Sequence, residues 1–272
     1  MPFISLTSDY GFNSGYVAQI KNELNKSLNR PVIIDISHLI EPFNLLQAAY
    51  IVRTTYKNFP ENSIHFIGVD FNQNPEQDII ATHVNNHYFV CADNGFLSLL
   101  EPKFASNKIV KLNLTHKSNI LNGVQAIAHI YRGGNLNLIG TKKENLKQLK
   151  PHRAQFSEDN TLINGHVIHI DRYGNIITNI TKDFFHECCR NRTFTIYARN
   201  HTFNEVYQNY HDAIKFNIKK ELREEDGKKL ALFNDEGFLE IAIYKGNPNF
   251  GGGASSLFGI HFLDPIRVKF NN

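Results

Sequence analysis

Short apolar runs alternate with helical patterns at the start of this chain, and that order limits it to few folds. Phe3-Ile4-Ser5-Leu6 reads as a buried strand, and Thr7 to Gly11 as the loop after it. A helix beginning near Ser14 or Gly15 places Tyr16, Val17, Ile20 and Leu24 on one face, and Asn29-Arg30-Pro31 breaks it. Val32 to Ile36 is apolar until Asp35, the pattern of a strand covered by helices on both faces. Asn44 caps a second helix with Leu45, Ala49 and Val52 on its apolar face and Leu46 beside them, and Phe59-Pro60 closes it. Ile64 to Val69 is a third strand. Strand–helix–strand–helix–strand predicts a layered α/β domain with a central, largely parallel sheet.

Ile79 to Val84 and His87 to Cys91 read as paired strands joined at Asn85-Asn86, and Asp93-Asn94-Gly95 opens a short helix with Asp93 or Asn94 as its cap. Ile109 to Leu114 predicts a further strand, and Val124 to Tyr131 a helix ending at Gly133-Gly134. The chain turns polar over about 145–160, with Pro151 and the run Ser157-Glu158-Asp159-Asn160, which places a linker there. Strands dominate beyond it: Leu162 to Ile170, Ile176 to Ile180, Thr193 to Ala198, Lys229 to Phe233, Leu239 to Ile243 and Ile266 to Phe270. The expectation is an α/β domain over residues 1–150 and an all-β, barrel-like domain over 160–272.

Composition narrows the function classes. With 272 residues the chain can bury its cores without metal or disulfide, and a formal charge of +3 without a basic block does not suggest nucleic acid as a partner. Lys142-Lys143 and Lys219-Lys220 read as solvated charges. Cys91, Cys188 and Cys189 form no C-x-x-C pair, against a disulfide framework or a cysteine zinc site, and Cys91 reads as a small core residue. Met1 to Ser5 enters a strand directly, so no signal peptide and no membrane span are expected, and the cytoplasm is the default location.

Ligands of open α/β sheets bind beyond the carboxyl ends of the strands. Asp9, Asp35, Asp70 and Asp93 fall there, and a carboxylate can accept from both hydroxyls of a ribose. Helix capping and turn formation are the competing roles. No G-x-x-x-x-G-K-[ST] and no G-x-G-x-x-G opens a helix, which favours a ligand without phosphates. His166 and His169 stand three apart on a strand, on opposite faces, and are poor joint metal ligands. In Ile170-Asp171-Arg172-Tyr173-Gly174-Asn175-Ile176 a turn gathers a carboxylate, an aromatic face and a carboxamide. Such a set suits a ligand with an amine, a flat ring and hydrogen-bonding edges, and equally makes a well-formed hairpin with solvated polar groups.

Nearly the whole chain resembles the S-adenosyl-L-methionine hydroxide adenosyltransferase family, to which fluorinases and chlorinases belong. Thr7-Ser8-Asp9-Tyr10-Gly11, Asp35-Ile36-Ser37-His38, Ile64-His65-Phe66 to Asp70, Asp93-Asn94-Gly95-Phe96-Leu97, Asp171 to Asn179, and Asn234 with Gly237 to Ala242 resemble the family's motifs in order. The resemblance implies an N-terminal α/β domain, a C-terminal β-barrel and a homotrimer that binds S-adenosylmethionine between subunits. It also implies that no metal or other cofactor is needed, S-adenosylmethionine being substrate or ligand. Asp9 would hold the ribose hydroxyls, Tyr173 would stack on adenine, Asn175 would bond its edge, and backbone near Ala254 would reach it. Asp171 would meet the methionine amine. Ser14, Asp93, Asn94, Asn234 and Asp235 fall at further ligand-binding positions of the motifs.

Departures concentrate where water would be activated. Asp70 matches the family's Asp, but Gln77 stands where an Arg is expected and Ser118 where a His is expected, with His116 close by. Asp235 stands where a Ser contacts the methionine end, and Ser14 where Asp is usual. The resemblance therefore implies water attack at the ribose C5′ of S-adenosylmethionine, giving adenosine and L-methionine. The alternatives are a binding protein that has lost the water-activating set, or a related displacement on another nucleoside.

Overall fold

The computed structural model describes residues 2–71, 74, 76–101, 109–150, 153–223, 225 and 227–271. Asn72, Gln73 and Pro75 of the loop after the third strand, and Pro151 of the linker, lie outside the described residues. The chain forms two compact units, Met1–Pro151 and His152–Asn272.

In the first unit the order is β1 (Ile4–Ser8), α1 (Tyr16–Ser27), β2 (Ile33–Ser37), α2 (Leu45–Arg53), β3 (Ile64–Gly68), β4 (Ile79–Val84), β5 (His87–Ala92), α3 (Phe96–Leu100), β6 (Ile109–Leu112), α4 (Asn119–Tyr131) and β7 (Gly140–Lys142). The strands make one sheet in the order β2-β1-β3-β5-β4-β6-β7. The sheet is mixed rather than largely parallel. The β2–β1, β1–β3 and β3–β5 pairings are parallel, and β5–β4, β4–β6 and β6–β7 are antiparallel. The change of sense comes from the tight turn between β4 and β5. Asn85 and Asn86 both hold positive φ, 49° and 61°, as a two-residue hairpin requires.

Alternate residues of the inner strands enter two cores. Ile4, Leu6, Ile64, Phe66 and Val90 pack with Ile20 and Leu24 of α1 and Val124 and Ile127 of α4. Ile67, Phe89 and Cys91 pack on the other face with Ala48, Ala49 and Val52 of α2 and Phe96 of α3. The two-face apolar pattern expected of β2 does not hold. Ile34 and Asp35 are exposed, because β2 lies at the end of the strand order, past the cover that the helices give the inner strands. Helix α4 starts earlier than its apolar run suggested, at Asn119, because Ser118 caps it with its side-chain oxygen toward Leu121 N.

In the second unit β8 (Gln155–Phe156), β9 (Leu162–Ile170), β10 (Ile176–Thr181), β11 (Phe194–Ala198), β12 (His201–Phe203), β13 (Lys229–Phe233), β14 (Phe238–Ile243) and β15 (Pro265–Phe270) form an antiparallel sheet of order β12-β11-β15-β9-β10-β14-β13, with β8 on β9. It curls around one core that includes Val167, Ile176, Ile196, Leu239, Ile241 and Val268. The two edge strands approach each other, with Lys229 Nζ 5.2 Å from the centre of the Phe203 ring. The result is a nearly closed barrel. Helices α5 (Lys182–Cys189), capped by Thr181, and α6 (Ala254–Phe258) interrupt the all-β pattern. Among the described residues no helix is long and apolar enough to cross a membrane.

Candidate functional site

Because β2 and β3 flank β1 on opposite sides, the strand order reverses at the carboxyl ends of β1 and β3, where open α/β sheets form a crevice. Asp9 follows β1 and Asp70 follows β3. Asp9 Oδ2 accepts from Asp70 N at 3.2 Å and from Phe43 N at 3.0 Å. One carboxylate oxygen thus ties three loops together. Gln77 Nε2 donates to Asp70 Oδ2 at 3.1 Å. Asp70 itself holds φ at 47°, a left-handed conformation that Asp tolerates better than most residues. Asn94 joins this edge from below. Its Nδ2 donates to Val69 O at 3.0 Å and its Oδ1 accepts from Phe96 N, so the carboxamide starts α3 and braces the β3 loop.

The loop carrying Asp9 is held from its other side. Ser8 Oγ and His38 Nδ1 lie 2.7 Å apart, and Gly11 N donates to His38 O at 2.9 Å. Tyr10 packs beneath, and burial, with Asp9 adding to it, pushes its hydroxyl pKa well above the ordinary value. Ser14 caps nothing but its own loop, donating to Tyr10 O at 3.1 Å.

Other expected residues are drawn elsewhere. Asp35 lies within β2 rather than at its end and pairs with Lys21 at 2.5 Å and with His38 Nε2 at 3.1 Å. Asp93 pairs with Lys143 at 3.1 Å and accepts from Lys147 N. Lys143 is not a solvated charge. It is largely buried between Asp93 and Asp78, which it meets at 2.8 Å, because β7 lies level with the start of β4, one strand away across β6. His116 Nε2 contacts Gln125 Nε2, while its backbone N donates to Asn122 Oδ1. Ser118 lines a cleft of about 400 Å³ with Tyr16, Glu23 and Lys117. Among the described residues that line this cleft, neither Asp70 nor Gln77 occurs.

In the second unit the turn between β9 and β10 is built around Asp171. Its Oδ1 accepts from Tyr173 N at 2.8 Å and Asn175 N at 2.9 Å, and its Oδ2 accepts from Asn175 Nδ2 at 3.0 Å. Asn175 is buried, while Tyr173 presents its ring to solvent, 67% exposed. The turn closes through Gly174 at φ 76°. Gly253 lies against it so closely that a Cβ there would stand 2.3 Å from Tyr173 O. Ser255 N donates to Gly174 O at 2.8 Å, so the segment entering α6, with buried Ala254, is locked to the turn.

Glu240 of β14 was not singled out as a site residue from sequence, yet it is nearly fully buried. Its Oε1 accepts from Tyr210 OH and its Oε2 from Asn234 Nδ2 at 3.3 Å. Burial raises its pKa, opposed by the Tyr210 hydrogen bond, and Asp171 and Asp235 add to the rise. Asp171, Asp235 and Glu240 therefore make one acidic neighbourhood, complementary to a protonated amine. The signal was a Glu inside the apolar run Phe238-Leu239-Glu240-Ile241. Among the described residues no three His, Cys, Asp or Glu side chains gather as metal ligands.

Known proteins resolve what this geometry leaves general. The model of the SAM hydroxide adenosyltransferase N-terminal domain matches residues 4–140, and that of the C-terminal domain residues 165–267. The chain belongs to the SAM hydroxide adenosyltransferase family. An (R)-S-adenosyl-L-methionine hydrolase of Methanocaldococcus jannaschii is 32% identical over 279 residues, covering 99% of this chain and 97% of that protein. One from Salinispora arenicola is 31% identical over 96 residues, 35% of this chain and 36% of its own length. The fold is shared with an uncharacterized conserved protein from Thermotoga maritima, with a TM-score of 0.82 and 23% identity over 98% of this chain and 100% of that one. A conserved hypothetical protein from Thermus thermophilus gives a TM-score of 0.75 at 20% identity, with full coverage of both chains. The Asp9–Asp70–Gln77 group and the Asp171–Asn175 turn differ in kind. The first ties the Asp9 carboxylate to the Asp70 backbone and the Asp70 carboxylate to Gln77, and the second presents an aromatic ring beside a fixed carboxamide.

Proposed function

We propose that this protein cleaves S-adenosylmethionine by attack of water on the ribose C5′, giving adenosine and L-methionine. The observation that carries the reading is the Asp9–Asp70 clamp at the sheet's switch point. On this reading Asp9 takes the ribose hydroxyls, and Asp70, whose backbone N–H donates to Asp9, takes the attacking water. Tyr173 stacks on adenine, Asn175 bonds its edge, and Asp171 takes the methionine amine. Ser14, Asn94, Asn234 and Asp235 complete the ligand's surroundings, with Ala254 backbone at the adenine, while Asp93 is held away by Lys143.

The sulfonium is already a good leaving group, so the rate depends on alignment and desolvation of the nucleophile. A carbon–oxygen bond forms at C5′ as the carbon–sulfur bond breaks. The electron pair stays on sulfur, and one proton of the water leaves by way of Asp70. The names of the relatives direct the choice of substrate to the (R)-sulfonium epimer. A homotrimer belongs to this reading and is checked by sedimentation.

Binding without turnover is a second reading, favoured by the structural employment of Ser118 as a helix cap and of His116 on Gln125. Both are tested by incubating the protein with each sulfonium epimer, following adenosine by chromatography and binding by calorimetry. Adenosine formation at a rate set by the enzyme supports hydrolysis. Binding without adenosine supports the second reading, and absence of both refutes the two. Asp9→Ala and Asn175→Ala should each abolish binding; unchanged affinity would mean that these side chains serve only the loops.

A further inference from the structure

We propose that Gln77 is a nucleophile-positioning residue, forming with Asp70 a two-acceptor cradle that takes an O–H nucleophile and rejects a halide. This rests on the function proposed above and specifies how its nucleophile is chosen. In the sequence Gln77 stands with Asp70, Ser118 and His116 among the candidate catalytic residues, as an amide where a guanidinium is expected.

The orientation of the amide follows from chemistry. An ionised carboxylate only accepts hydrogen bonds, so the atom 3.1 Å from Asp70 Oδ2 is the amide nitrogen. The carbonyl Oε1 is thereby turned to the other side, where it is buried with no protein partner among the described residues. Backbone contacts hold both ends of the pair. Gln77 N donates to Asn74 O at 3.2 Å, and Asp70 N donates to Asp9 Oδ2. The cradle is thus fixed to the same clamp that holds the proposed ribose carboxylate.

A buried acceptor without a donor is destabilising. Neither Asp70 nor a halide can supply that donor. Water can: one O–H points to Asp70, the other to Gln77 Oε1, and a lone pair is left for C5′. On attack, the O–H toward Asp70 gives up its proton, the new C5′–O bond forms, and the C5′–S pair returns to sulfur. The hydrogen held by Gln77 remains on the hydroxyl of adenosine. A halide placed there would face a carboxylate and a carbonyl oxygen, both negative, with no proton to share. A guanidinium has only donors and cannot act in this way.

The test compares wild type with Gln77→Leu and Gln77→Asn, measuring kcat and KM for adenosine formation, adenosine affinity by calorimetry, and the products in excess chloride. Gln77→Leu should lower kcat by ~10²-fold, in the range expected when a nucleophile loses its alignment. Adenosine affinity should hold within about threefold, and wild type should form no 5′-chloro-5′-deoxyadenosine. Gln77→Asn keeps both amide groups but withdraws them by one methylene, and it should lower kcat at unchanged Tm. It serves as the folded comparison if Gln77→Leu is unstable. Wild type that cleaves while either folded variant keeps kcat within about threefold overturns this inference alone, as does a chlorinated product. Wild type that neither cleaves nor binds overturns the proposed function itself, and this inference with it.

Discussion

Replacing Gly253 by Ala probes the joint on which the Asp171–Asn175 turn depends. Gly253 lies at φ −105° and ψ 178°, extended backbone that any residue adopts, so the substitution adds no conformational strain. Its effect is contact alone. The new Cβ would stand 2.3 Å from Tyr173 O and 2.8 Å from Gly174 Cα, where ordinary contact begins at 3.4 Å. The atoms met are backbone, so no rotamer change relieves them, and the two segments must part by about 1 Å (3.4 less 2.3). Parting strains the Ser255 N to Gly174 O hydrogen bond, worth roughly 0.5–1.5 kcal/mol, beyond an overpacking cost of roughly 1–3 kcal/mol. The expected loss is on the order of 2–4 kcal/mol in urea unfolding of the second unit. Calorimetry with adenosine should show at least a tenfold weaker complex, because Tyr173 and Asn175 ride on the displaced turn. Stability within about 0.5 kcal/mol of wild type, with unchanged affinity, would refute the close-approach reasoning.

Two further outcomes follow from buried titratable groups. His65 bonds Ser5 Oγ through Nδ1 at 2.6 Å and His87 through Nε2 at 3.1 Å; burial first, then His87, lowers its pKa to about 3. The unfolded chain takes up this proton near pH 6.5 and the folded chain only near pH 3. Stability should therefore fall as pH drops below 6.5, and His65→Asn should lose less than wild type over that window in urea titrations at pH 7 and 5; parallel losses would argue against it. Tyr210→Phe leaves a buried Glu240 oxygen without its hydroxyl donor and should cost ~1–3 kcal/mol, read from the urea midpoint at pH 7. A change below about 0.5 kcal/mol would show that Tyr210 does not support the carboxylate.

Much of the architecture was legible from local sequence. Apolar spacing located α1 and α2, Asn44 announced its helix by capping Gln47 N, and Asn85-Asn86 announced the hairpin of β4 and β5. These features depend on residues within a turn or two of each other, and neighbours in sequence are enough to specify them. The Asp171 turn was legible for the same reason, since all its side-chain bonds close within four residues. Ser118 as a helix cap, and helix α5 behind Thr181, are local too. Asn119, Asn122 and Gly123 interrupt the apolar pattern in the first turns of α4, and α5 offers only eight residues over which a period could be read.

What the sequence did not determine is which strands become neighbours. The runs of β2 and β3 are both rich in isoleucine, yet β3 is central and β2 lies at an edge with Ile34 exposed. That depends on which strand each loop lets it reach, a non-local choice among similar hydrophobic segments. The same holds for charge. Lys143 looks like any surface lysine until β7 brings it between Asp78 and Asp93, and Glu240 meets Tyr210 across thirty residues. Local chemistry thus set the elements and their turns. Tertiary packing decided which polar groups are buried together, because burial turns a charge that water would have solvated into one that must find a partner.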